Sequence, residues 1–146
     1  MGARVTVSIK GDKELIQALK KMGIDVERVL EMAAQAGAEI IAQDAGRRAP
    51  RPLIATEVSA RGKGSVTVDI GPLDKVWYWK FLETGAQAHS ITGSPLVFEG
   101  SEGLVVTRGV GHSGMAARPF LRPAFDSRKG AAKDQVGEVI KGKALP

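Results

Sequence analysis

"DVERVLEMAAQAGAEIIAQDAGRRAP", residues 25–50, decides the fold. Val26, Val29, Leu30, Ala33, Gly37, Ile40, Ile41 and then Asp44 or Ala45 recur at steps of three and four. That is the stripe of an amphipathic helix of about six turns, closed by Pro50. Ala33, Ala34, Ala36, Gly37 and Ala38 place small side chains mid-helix, where a sheet or a second helix can come close.

Upstream of this helix, Arg4 to Lys10 alternates Val5, Val7 and Ile9 with polar residues, the pattern of a half-buried strand that Gly11 ends. Asp12 then caps a short helix carrying Leu15, Ile16 and Leu19 on one face and stopping at Gly23. Downstream, Ile54 to Ala60 and Ser65 to Ile70 both read with period two. Ile54, Thr56 and Val58 match Val66, Val68 and Ile70 across the turn "RGKG", Arg61 to Gly64. The aromatic cluster "VWYWKFLETG", residues 76–85, fits a short helix ended by Gly85 and reads as a core anchor in a chain poor in aromatics.

Beyond it the pattern breaks into short β pieces, His89 to Thr92, Leu96 to Phe98 and Leu104 to Thr107, with "GHSGMAA" as a loop. The last segment turns helical, with Phe125, Ala132, Val136, Val139 and Ile140 on one face. Gly130 and Gly137 each cost such a helix about 1 kcal/mol relative to alanine, which predicts interruption or fraying. Pro119 and Pro123 predict a turn at 119–122, Arg118 and Arg122 held extended, and a continuous helix only afterwards. The sum is an α+β domain: a small antiparallel sheet packed against a long helix, with a C-terminal helix, over 1–146.

Composition narrows the function. The chain of 146 residues carries a formal charge of +5 and no cysteine, so it has no disulfide framework, thiolate zinc site or thiol nucleophile. No apolar run approaches the roughly 20 residues of a membrane span, and the opening "MGARVTVSIKG" alternates instead of forming a signal-peptide core. His89 and His112 are the two histidines; neither has metal-ligand spacing, and no nucleophile elbow or phosphate loop is present. No catalytic, cofactor or metal site is expected. The surplus positive charge favours an anionic partner, with Arg47, Arg48, Arg51, Arg61 and Lys63 in short basic clusters as the candidates for contact with DNA phosphates. Arg47 and Arg48 also suit a helix C-terminus without any partner.

Two stretches carry a resemblance. "WKFLETG", Trp79 to Gly85, looks like a Tyr-Ala-x-Phe-Leu-Glu-x-Gly pattern, and "ARPFLRPAF", Ala117 to Phe125, looks like an Arg-Pro-Phe-Leu-Arg-Pro-Ala ending. With "HSI", "LVF" and "GHSG" in the same order, the chain resembles the head-tail joining and tail-component family of long-tailed bacteriophages, the neck and tail-completion proteins. It departs from that pattern at "RPLIATEV", where a Thr-Gly-x-Leu turn is usual, and at Ser113, where proline is usual. The resemblance implies a structural virion protein, made in the bacterial cytoplasm, that forms a homo-oligomeric ring, commonly a hexamer. The ring sits between connector or stopper and tail tube or tail terminator, with DNA in its lumen. Tail terminator, minor tail component and a small basic nucleic-acid-binding module are the alternatives. On this reading Phe98, Leu104, Arg118, Phe120 and Arg122 meet neighbouring subunits, Phe120 and Phe125 being mainly internal.

Overall fold

A computed structural model describes residues 4–50, 54–72 and 78–144. Its sheet is built around β3 (Ser65–Pro72), where Val66, Val68 and Ile70 are buried on one face. β1 (Val5–Lys10) and β2 (Ile54–Gly62) flank it, both antiparallel, in the order β1-β3-β2. The registers set Val7 and Val58 both opposite Val68, so the apolar residues of three strands share the buried face. The opposite face is polar: Thr6 Oγ1 donates to Asp69 Oδ1 at 2.9 Å, and the Ser8 and Thr67 hydroxyls lie 3.3 Å apart. A bulge between Val58 and Ala60 shifts the pairing by one residue and sets Arg61 opposite Val66, on the inner face. Arg61 thereby reaches the long helix.

The first two helices have the boundaries their caps predict. α1 (Lys13–Lys21) starts at Asp12, whose carboxylate accepts the Glu14 N–H at 2.8 Å. α2 (Val26–Arg48) starts at Asp25, which accepts the Arg28 N–H at 3.1 Å, and lies across the sheet. Leu30, Ala34, Ala38, Ile41 and Ala45 are buried along it. α4 (Leu121–Ala144) packs antiparallel on α2 at the small-residue stretch. A Cβ on Gly37 would stand 2.7 Å from Val136 Cγ2 and 3.1 Å from the Ala132 carbonyl oxygen, so glycine sets the approach of the two helices.

Three expectations need correction. α4 runs without a break through Gly130 and Gly137, because burial of Ala132 and partial burial of Val136 and Ile140 against α2 outweigh the propensity cost of two glycines. It also begins at Leu121, so residues 121–122 are already helical and Arg122 is not extended. Pro123 sits in the first turn, where its missing N–H has no intrahelical partner to lose. Third, the short β pieces are one long hairpin, β4 (His89–Gly100) and β5 (Gly103–His112). The apparent break at Gly93 to Pro95 is a bulge, since pairing passes from Thr92 opposite Gly109 to Leu96 opposite Thr107. The aromatic cluster forms α3 (Trp79–Thr84), while residues 76–77, where the pattern starts this helix, lie outside the described residues. Among the described residues no helix is long and apolar enough to cross a membrane.

Candidate functional site

The two stretches that carry the resemblance meet in space. Trp79, at the start of α3, is buried edge-on to Phe120, with ring centroids 5.1 Å apart. Four residues later Glu83 turns its carboxylate onto the start of α4: Oε2 accepts the N–H groups of Phe120 at 2.8 Å and Leu121 at 3.1 Å, and Oε1 accepts that of Arg122 at 2.9 Å. A helix start exposes donors without intrahelical partners and a partial positive charge, so one carboxylate satisfies three donors and complements the dipole. The prolines explain the economy. Pro119 and Pro123 bracket a run of only three N–H groups, and Glu83 takes all of them. The Arg118 N–H donates to the Leu82 carbonyl at 2.6 Å, which ties the same corner from the other side.

Immediately after α3, Gly85 adopts φ +75° and ψ 179°, a region open essentially to glycine alone. A Cβ there would lie 2.8 Å from the Met115 carbonyl oxygen. This close passage lets Ala86 and Met115 exchange two backbone hydrogen bonds, at 2.9 and 2.8 Å, and start the hairpin. His89 and His112 then stack across its root, centroids 5.0 Å apart. His89 Nδ1 lies 2.9 Å from the Gln87 carbonyl, which requires an N–H there; His112 Nδ1 accepts the Gly114 N–H at 3.1 Å, which requires a bare nitrogen. Both Nδ1 atoms are engaged by backbone, and among the described residues no group of three or more His, Asp or Glu could hold a metal ion.

The hairpin itself carries apolar side chains on both faces. Val97 pairs with Val106, and Glu99 with Leu104, on one face; Phe98 pairs with Val105 on the other. Leu104 is 73% exposed, Val106 62% and Val97 55%, with Phe98, Val105 and Ile91 also exposed. Its strands pack chiefly on each other. A two-stranded hairpin is marginal in water by itself, and the exposed valine, leucine and phenylalanine on this one form an apolar surface of the kind found where proteins meet partners. No family model, curated protein or solved structure matched this chain.

The structure thus places the candidate interface residues unequally. Phe98 and Leu104 are exposed near the hairpin tip. Arg118 and Arg122 are exposed at the corner, some distance along the chain from the tip but joined to it through the Ala86–Met115 bridge. Phe120 is fully buried against Trp79, so it holds the corner together and does not meet a neighbour. Glu83, Val97 and Val106 escaped the sequence reading. Three donors between two prolines require an acceptor, and consecutive apolar residues at 96–98 and 104–106 break the one-face alternation; both are signals the sequence does carry.

The basic candidates do not form one patch. Arg47 and Arg48 end α2, whereas Arg61 stands beside Glu31 in its first half, about 24 Å away at 1.5 Å per residue, with Lys63 in the turn that follows. Arg61 forks onto Glu31 with two bonds of 2.9 Å, raising its own affinity for the proton and lowering the Glu31 carboxyl below its ordinary value. Arg48 Nε donates to Asp44 at 2.7 Å. Asp44 is only 7% exposed; the Arg48 hydrogen bond, followed by the Ser127 hydroxyl and the charges of Arg48 and Arg128, holds its carboxyl below the usual range against the opposing effect of burial. Neither Arg47 nor Lys63 forms an ion pair among the described residues, and Arg51 lies outside them.

Proposed function

We propose that this protein is a structural subunit of a tailed phage or prophage, a neck or tail-completion protein that joins the head connector to the tail. The observation that carries the assembly part is the β4–β5 hairpin, whose Val97, Phe98, Leu104 and Val106 are exposed among the described residues. The phage part rests on the resemblance of "WKFLETG" and "ARPFLRPAF", two stretches that build a single corner in this fold.

On this reading copies close into a ring by head-to-tail contacts, six-fold as is common in the family resembled, and DNA passes through the lumen. The partners are a second copy of the chain, a connector or stopper protein, and a tail-tube or tail-terminator protein. The reading assigns the chain no catalysis and no cofactor. Arg48 and Arg61 are committed to Asp44 and Glu31, so Arg47 and Lys63, with Arg51, carry the proposed lumen-facing charge. Such contacts touch phosphates without reading sequence.

The test is the mass of the purified protein by light scattering, alone and with the tail-tube protein, at low and high salt. A ring, or a monomer recruited into one by the tube protein, supports the joining role. A strict monomer that ignores the tube and binds DNA with a steep salt dependence overturns it in favour of a free nucleic-acid-binding module.

A further inference from the structure

The hairpin tip has a chemical character of its own. Residues 94–107 contain two carboxylates, Glu99 and Glu102, and no lysine or arginine, in a chain of net charge +5. Glu102 lies in the exposed turn between β4 and β5, and Glu99 pairs across to Leu104. The tip is therefore acidic at its end and apolar just behind it. A surface that covers it must be concave, apolar and rimmed by cations.

Among the described residues hollows lie beside both edges of the sheet: the one at β2 and the end of α2 carries a single cation, Arg47, together with the Glu39 carboxylate, whereas the one between β1 and α4 carries two lysines and no carboxylate. Between β1 and α4 runs a groove of about 330 Å³, floored by Val7, Ile9, Ile41, Phe125 and Val136. Lys129 and Lys133 also line it, on the α4 side. It continues past Thr6 and Phe125 into a second hollow of about 430 Å³ lined by Arg4 and Arg122 and by Glu83, whose carboxylate is taken up by the N–H groups at the start of α4. β1 is an edge of the sheet, so along this groove its outer backbone groups have no strand partner among the described residues. An exposed edge beside an apolar channel is the geometry that accepts an added strand, with backbone bonds for affinity and the channel for side chains.

We propose that the hairpin tip of one copy seats in the β1–α4 groove of the next, with Glu99 and Glu102 against Lys129 and Lys133 and Leu104 and Val106 on the apolar floor. The inference deepens the ring reading and rests on it. Hairpin and groove are different surfaces of one chain, so each copy offers one and receives one, the heterologous contact that a ring requires. α1 offers a rival patch, exposed Leu15 and Met22 among lysines, but it is a convex helix face and not a groove.

The absence of native cysteine makes the contact directly testable. In the full-length chain, Glu102→Cys with Lys133→Cys should, on mild oxidation, give a ladder of covalent oligomers on a non-reducing gel, whereas Glu102→Cys with Met22→Cys should not. Both positions of the first pair are exposed, so the variants fold. A charge exchange supplies the second readout: Glu102→Lys should weaken assembly about tenfold, and Glu102→Lys combined with Lys133→Glu should restore it. Oligomers by light scattering without the first ladder, a ladder from the Met22 pair, or a failed charge rescue each overturn this docking and leave the ring reading standing. A monomer under every condition overturns both.

Discussion

Glu83 is the residue on which the corner depends. Replacing it with alanine removes three acceptor contacts of 2.8, 3.1 and 2.9 Å from N–H groups that no other group among the described residues accepts. The N–H groups of Phe120 and Leu121 belong to buried residues, and a buried donor left unsatisfied costs about 1–3 kcal/mol. The N–H of Arg122 belongs to an exposed residue and can turn to water, so it adds little. Loss of the anion from the helix start removes a further ~0.3–1 kcal/mol of dipole stabilisation. Water entering the vacated corner returns part of this, which sets the expected loss for Glu83→Ala at about 3 kcal/mol. Glu83→Gln keeps one acceptor oxygen but turns an amide towards the third donor, so roughly half of that loss is expected. At about 2–4 °C per kcal/mol for a chain of this size, the alanine variant should melt ~6–12 °C below the parent, with glutamine between them. The assays are urea and thermal unfolding followed by circular dichroism, at a concentration where the protein is monomeric. Hydrogen exchange of the 120–122 amides, which should lose protection first, supplies the local readout. An alanine variant within 0.5 kcal/mol of the parent, well inside the range for an inconsequential surface change, with those amides still protected, would refute the reasoning.

Gly37 and Gly130 should respond to alanine with opposite signs. Gly130→Ala, with open space around its Cβ, should stabilise α4 by about 0.5–1 kcal/mol, while Gly37→Ala, driven into Val136 and the Ala132 carbonyl, should lose about 1–2 kcal/mol net in urea unfolding. Asp44→Asn should cost on the order of 1 kcal/mol at pH 7, since Arg48 is partly exposed and its pair is screened. The folded Asp44 carboxyl binds its proton more weakly than the unfolded one, so its contribution is present above the ordinary carboxylate range. The difference between parent and Asp44→Asn should therefore shrink as pH falls below about 4 and through the lower folded value, and a difference constant from pH 7 to 3 would exclude the ion pair as its source.

α2 is legible in the sequence because its apolar residues recur over many turns with a cap at one end and proline at the other, and no tertiary contact opposes that pattern. β1, β2 and β3 are legible for the matching reason: one face is buried, so period two survives. The turn between Phe98 and Leu104 is legible too, but the length of the hairpin is not, because neither of its faces belongs to this chain's core and no alternation is imposed on 96–106. Its bulge also imitates a loop, since Gly93, Ser94 and Pro95 are turn formers whose consequence depends on whether pairing resumes beyond them. α4 misleads in the opposite direction. Its glycines and prolines argue locally for a break, and contacts from 37 and 83, far away in the chain, decide otherwise. Basic clusters at 47–51 and 61–63 look alike as sequence, yet partners at Asp44 and Glu31 distinguish committed arginines from the rest.

The corner and the hairpin form one mechanical unit, and this links the stability of the fold to its proposed assembly. Glu83 fixes the end of α3 to the start of α4, Gly85 follows directly, and the Ala86–Met115 bridge leaves from that point. On the other strand, residues 115–118 pass from the bridge to Arg118, which is bonded to Leu82, and on to the Glu83-capped start of α4. Both strands of the hairpin are thus clamped within a few residues of the same carboxylate. The direction in which a long, two-stranded arm leaves the domain is set by its root, and a small rotation there displaces the tip by far more. On the proposed assembly, an arm that meets a neighbour at a fixed position needs a rigid root more than a rigid tip, and the prolines, glycine and three-donor cap in this one place would supply it. A change at Glu83 should for that reason weaken assembly although Glu99, Glu102, Lys129 and Lys133, the charges proposed to meet, are untouched.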